Sequence, residues 1–132
     1  MRRAALGLGW AIVLAGPASA GPLDAYRDRA RVLVLSAPDA SDAHLRAQRV
    51  ALGSARTGAA ERDLVVVEAI GSGAEARALR ARFGLPADSF RVVLVGKDGG
   101  AKLSAEAPIP PQTLFATIDA MPMRRAEIRQ RR

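Results

Sequence analysis

Five residues, Gly96-Lys97-Asp98-Gly99-Gly100, decide which α/β arrangement this chain can adopt. They follow Phe90–Val95, FRVVLV, a run with the length and branching of a buried strand. Two earlier runs, Arg31–Leu35 and Leu64–Ile70, have the same character, and a helix-length segment follows each. After the third run the chain has no room for a helix. A short glycine-rich connection instead returns it as a hairpin. An all-parallel sheet would need a helix where GKDGG stands. The predicted order is therefore β-α-β-α-β-β-α: a parallel pair joined by a right-handed crossover, then antiparallel strands. The expected class is α/β, a mixed sheet with helices on both faces.

Local signals place the elements. Gly21–Ala30 reads as a lead-in whose Leu23 and Tyr26 tuck against the domain. Val32, Leu33, Val34 and Leu35 are apolar on both faces of a pleat, as in a strand covered on both sides. Pro38 ends that strand, and Asp39 or Ser41 offers a cap for a helix from about Asp42 to Ala55. Leu45, Leu52 and Ala55 share its inner face, while Arg46, Gln48 and Arg49 point elsewhere. Leu64–Ile70 is the second strand, apolar on both faces except at Glu68. That carboxylate fits a strand end in solvent or a pair with an arginine. Gly71-Ser72-Gly73 is read as a turn: Walker A would need a following lysine, and GxGxxG a third glycine where Ala76 stands. Ala74–Phe83 forms a helix stopped by Gly84. Ala101–Ser104 is the short return strand. Pro111 opens the last helix, faced by Leu114, Phe115, Ile118 and Met121. Pro122 interrupts it, and Met123–Arg132 resumes as a basic, frayed helix.

The ends carry most of the charge. Met1–Ala20 has Arg2 and Arg3, an apolar run from Ala4 to Ala15, and Ala18-Ser19-Ala20. This is the order of a secretory leader cleaved between Ala20 and Gly21. The expected location is therefore exported, periplasmic or secreted, with no transmembrane segment after cleavage and one domain over 21–132. Arg124, Arg125, Arg129, Arg131 and Arg132 crowd the last nine residues against Glu127. Without the two ends the body is close to neutral. The formal charge of +7 thus describes two ends rather than a basic face. The chain has no cysteine, which excludes thiol redox chemistry, thiolate nucleophiles, disulfides and cysteine-bound metals.

Two stretches carry a family likeness. LRARFGL at Leu79–Leu85, followed by FRVVLVGKDGG, resembles the helix–strand–hairpin half of thioredoxin-like and peroxiredoxin-like proteins. The wider pattern of RVLVLSAP, LVVVE, LVGKDGG and the closing IDAMPMRRAEIR resembles a family of small exported bacterial proteins classed as a domain of unknown function with a thioredoxin-like fold. The likeness spans Pro22–Arg129. It implies fold and export, with no activity, substrate, cofactor or catalytic residue attached. In a thioredoxin-like protein the C-x-x-C would fall near Ala37–Ser41, which here reads Ala-Pro-Asp-Ala-Ser. The cis-proline facing it would fall at Phe90 or Arg91, and neither is proline. The resemblance further implies that the Ala37–Ser41 turn and the start of Phe90–Val95 meet at one end of the sheet.

Function must therefore be sought without thiols. The expected contact surface is Pro38, Asp39, Ser41 and His44 with Phe90 and Arg91 facing them, serving an envelope protein or a small ligand. His44, the single histidine, lies close in sequence to Ser36, Asp39, Ser41 and Asp42. A hydrolytic triad also needs an oriented base and an oxyanion hole, and no GxSxG elbow is present. The expectation for His44 is a surface or capping role, with no catalytic residue assigned and a cysteine-independent hydrolase as the alternative. Asp39, Asp42 and His44 make a poor ligand set for transition metals or Ca²⁺, and no metal or other cofactor is expected. The arginine tail suggests a weak contact with an anionic membrane surface. A shortage of aromatic stacking residues argues against nucleic acid.

Overall fold

The computed structural model describes residues 21–131; the expected leader and Arg132 lie outside them. Four strands form one sheet. In chain order they are β1 (Arg31–Ala37), β2 (Leu64–Ile70), β3 (Arg91–Val95) and β4 (Ala101–Ala105). The spatial order is β2-β1-β3-β4. β1 and β2 run parallel, and β3 runs antiparallel to both β1 and β4. The helices are α1 (Ala43–Gly53), α2 (Arg56–Glu61), α3 (Ala74–Phe83), α4 (Pro111–Asp119) and α5 (Pro122–Gln130). The class is mixed α/β, consistent with a thioredoxin-like arrangement. The hairpin at Gly96–Gly100 is closed by bonds from the Gly96 amide to Gly100 O and from the Gly99 amide to Gly96 O.

Strand alternation divides the core in two. Leu33, Leu35, Ala37, Val92's neighbour Leu94, and Leu64 belong to the half that holds Leu45, Leu114 and Ile118 from α1 and α4. Val32, Val34, Val93, Val95 and Ala69 meet Ala76 and Leu79 of α3, with Leu23 and Tyr26 of the lead-in packed beside them. The apolar-on-both-faces reading of β1 is thus realised, since all seven of its residues are buried. β2 is less covered than its apolar pattern predicts: as an edge strand it is buried at Leu64 and Ala69 and leaves Val66 44 % exposed.

Other expectations are corrected by local chemistry. The expected long helix stops at Gly53, and Arg56–Glu61 forms a separate short helix. At Gly58 an added Cβ would lie 2.6 Å from the Phe115 ring, so glycine lets α4 approach α2 closely. The cap of α1 is Asp42, whose carboxylate accepts from the Leu45 amide, rather than Asp39 or Ser41. Gln48 does not point away from the core. It is fully buried, donating to Ile109 O and accepting from the Ile109 amide. Gly84 ends α3 at φ +66°, the left-handed stop its sequence signals. Pro122 sits in the first turn of a distinct helix, α5, which is docked rather than frayed.

Candidate functional site

The exit of β1 carries the expected contact surface. β1 ends at Ala37, Pro38 turns the chain, and Asp39 to Ser41 lie exposed before α1. Asp39 accepts from both the amide and the hydroxyl of Ser41, at 2.9 and 2.6 Å. The Ser41 hydroxyl, then its amide, holds the Asp39 carboxyl below the usual carboxylate range. His44 is exposed on the first turn of α1, its ring stacked on Phe90 at 5.6 Å. Arg91 lies beside Ser36 in the β1–β3 register. Its guanidinium donates to Ser89 Oγ and Phe90 O. The turn and the start of β3 do therefore meet at one end of the sheet.

One residue there is not placed as the sequence led one to expect. Phe90 is buried in the α1/α4 half of the core, so the accessible part of this surface is Pro38–Ser41, His44 and Arg91. The polar groups nearest His44 are bonded elsewhere: Ser36 Oγ accepts from Arg80, Asp39 holds Ser41, and Asp42 caps α1. The geometry forms no Ser–His–Asp relay. Among the described residues, no group of three His, Asp or Glu side chains is placed to hold a metal ion.

Behind this surface lies Arg80, a residue that sequence reasoning did not single out. It projects from α3 and is 5 % exposed. Its Nε donates to Ser36 Oγ, and its terminal nitrogens donate to Ala37 O, Ala69 O and Gly71 O at 2.6–3.1 Å. All of these bonds go to neutral oxygens at the ends of β1 and β2. The guanidinium thus ties the two strands together beneath the turn.

The entrance of β1 carries a second polar centre. Arg31 is 0 % exposed. It donates to Arg62 O at 2.8 Å and forks onto both carboxylate oxygens of Glu127 at 3.2 Å. Lys97, from the hairpin, bonds Glu127 and Asp63 at 2.8 Å each. Burial alone would depress its charge. The bonds to Asp63 and Glu127 outweigh that and hold the ammonium above the usual lysine range. Burial likewise opposes the charge on Glu127, but Lys97 and Arg31 together lower its pKa. Nearby, Asp119 pairs with Arg62 and Arg124 at 3.0–3.1 Å and is held low, first by Arg62. Part of the basic tail is therefore spent on the fold. Arg124 is buried and also donates to Glu61 O, Arg131 bonds that same carbonyl, and Arg125 and Arg129 are exposed.

With the geometry described, comparison with known proteins places the chain. A family model for a domain of unknown function, DUF4174, matches residues 22–127. The chain belongs to the DUF4174 family. Among curated proteins, it is 32 % identical over 124 residues to the sushi repeat-containing protein SRPX of Rattus norvegicus and to that of Homo sapiens. Each match covers 83 % of this chain and 27 % of the relative. Human SRPX2 is 27 % identical over 128 residues, covering 86 % of this chain and 28 % of that protein. The chain thus spans about a quarter of the length of these relatives. No solved structure matches it. Among the described residues of this DUF4174 domain, no helix is long and apolar enough to cross a membrane.

The sequence signal for the second polar centre was present but unreadable. An arginine opening an apolar strand and a lone glutamate in a basic tail have no reason to be paired until α5 is seen to fold back across 96 positions.

Proposed function

We propose that this DUF4174 domain is an exported, non-redox, thioredoxin-like module. It binds an envelope protein or a small ligand through the exposed turn Pro38–Ser41, with His44 and Arg91 beside it. The observation that carries this reading is the combination of an intact sheet-and-helix scaffold with a cysteine-free turn at the end of β1. Where thioredoxin-like proteins hold thiols, this turn presents a carboxylate kept ionised by Ser41, an imidazole and a guanidinium. Such groups recognise a partner by charge and hydrogen bonding and need no electron transfer. Arg80 locks the strands beneath, so the turn is offered on a rigid base. The matched region occupies about a quarter of relatives named for sushi repeats, which supports a modular role over a self-contained enzyme. Bacterial origin and removal of a leader ending at Ala20 belong to the same proposal. The first rests on the resemblance alone, and the second on Arg2, Arg3, the apolar run and Ala18-Ser19-Ala20.

The test is affinity co-purification from the envelope fraction of the source cells with the wild-type domain and with Asp39→Arg/Arg91→Glu. The expected result is a stoichiometric partner or ligand retained by the wild type and lost by the double variant. Equal retention by both proteins would exclude this surface. Mass spectrometry of the exported protein checks the processing site; a chain beginning at Met1 would refute cleavage after Ala20.

A further inference from the structure

A pocket opens at the β1 entrance, between the Gly96–Gly100 hairpin and the junction of α4 with α5, with a volume of about 270 Å³. Two kinds of wall meet there. Met121, Pro122 and Met123 form an apolar one, and Met123 is 43 % exposed. Arg31, Lys97 and Lys102 bring cations to the other. The one carboxylate in the lining, Asp98, is paired with Lys102 at 2.8 Å.

The fold does not use all of the positive charge in this corner. Arg31, Arg62, Lys97 and Arg124 are linked through ion pairs to three carboxylates, Asp63, Asp119 and Glu127, so the cluster carries one cation in excess. Donors are in excess as well. Arg31 is 0 % exposed, and among the described residues its Nε is the one buried side-chain nitrogen or oxygen without a hydrogen-bond partner. Buried donors in native folds are nearly always matched by an acceptor. Lys97 Nζ has three protons and makes two bonds, to Asp63 and Glu127. Lys102 Nζ makes one, to Asp98. α5 adds its positive end. Its cap, Met121, has no side-chain acceptor, and Pro122 opens the helix, so the amides that follow in the first turn have no partner within it.

These features converge on one ligand class. A carboxylate seated against Lys97 and the first turn of α5 supplies the acceptor that Arg31 Nε lacks, and it balances the extra cation. The apolar wall calls for a hydrocarbon body on the same molecule, because a bare inorganic anion would leave Met121 and Met123 against water. A cavity of about 150 Å³ accommodates benzene, so one of 270 Å³ accommodates a molecule of about ten non-hydrogen atoms.

We propose that this pocket binds a small amphipathic monocarboxylate, with the carboxylate toward Lys97, Arg31 and the start of α5 and the hydrocarbon body along Met121 and Met123. The pocket lies at the entrance of β1 and the Pro38 turn at its exit, so the two sites stand or fall separately.

The experiment is calorimetric titration of octanoate, which matches the pocket in size, into the full chain as its source cells export it. Octanol, acetate and sulfate are the comparison probes. Met123→Asp sets a carboxylate on the apolar wall, and Lys102→Glu reverses a charge in the lining. Both residues are exposed and lie outside the buried ion-pair cluster. Circular dichroism melts confirm that each variant is folded, and either one that folds carries the comparison. The expected result is a dissociation constant of about 1 mM or tighter for octanoate, and one at least tenfold weaker for each comparison probe. Met123→Asp should weaken octanoate at least tenfold, and Lys102→Glu about threefold. The Arg31 Nε–H resonance should shift as octanoate saturates the site. Absence of binding up to about 10 mM octanoate overturns the proposal. So does octanol binding as tightly as octanoate, which would leave the cations no part. Sulfate or acetate binding as tightly would leave the apolar wall none and equally overturns it. Octanoate binding that the folded variants leave unchanged, or shifts centred on the Pro38 turn, would place the ligand elsewhere and refute this site.

Discussion

β1 has a buried arginine at each end, and the two are neutralised by different means. At the entrance, Arg31 is forked onto Glu127, which also holds Lys97. At the exit, Arg80 meets only carbonyl oxygens and the Ser36 hydroxyl. The first arrangement is an ion-pair network whose acidic member comes from the last helix. The second is a clamp of neutral acceptors made by adjacent strands. A buried charge needs compensation in either case, but only the first kind is titratable and dependent on a distant segment. The entrance therefore holds the fold's ends together, and the exit keeps a rigid base under an exposed turn.

The largest effect should come from removing the shared carboxylate. Glu127→Ala leaves Arg31 and Lys97 buried without their common partner and should cost about 3–5 kcal/mol, measured by urea denaturation. A loss under about 1 kcal/mol would mean that the entrance network is not holding α5. Arg80→Met should cost about 2–3 kcal/mol, because its aliphatic part is kept while the strand-end oxygens lose their donor. Its defining feature is pH independence: the difference from wild type should be the same at pH 5 and pH 8, since among the described residues no carboxylate pairs with Arg80.

Acid then separates the ends. Glu127 and Asp119 have folded-state pKa values below their ordinary ones. Their stabilisation is complete above the unfolded carboxylate range, near pH 4, and is lost as pH falls through the lowered folded values. Lys97 behaves oppositely. Its raised pKa stabilises fully below the unfolded lysine value and fades only as pH climbs above it. Thermal melts between pH 2 and 6 should fall steeply for the wild type and less steeply for Glu127→Gln. Equal slopes would show that the acid sensitivity arises elsewhere. The smallest effect is expected at Arg49→Ala on α1, whose half-exposed pair with Glu68 of β2 should contribute about 0.5 kcal/mol.

The candidate site was legible only in outline. Pro38 and the glycine-rich hairpin marked where the chain turns, and the β1–β3 register brought Arg91 to the Pro38 turn as the resemblance implied. Phe90 was misplaced because a single aromatic at a strand start reads equally as rim or core. Its burial depends on α1 and α4 closing over it. Gln48 was misplaced for a similar reason. A polar residue on a helix is expected outside unless a buried backbone, here Ile109, needs both its donor and its acceptor.

By itself, the sequence determined the class and order of the strands, the stops at Pro38 and Gly84, and the absence of thiol chemistry. All of these follow from short-range periodicity, backbone restriction and composition. Only the tertiary structure decided that Val66 on β2 is left exposed, that Arg80 clamps two strand ends, and that the basic tail folds back through Glu127 onto Arg31. Those outcomes depend on which distant groups share a desolvated space. A charge pair or exposed edge belongs to the assembled fold, because its energy depends on what surrounds it.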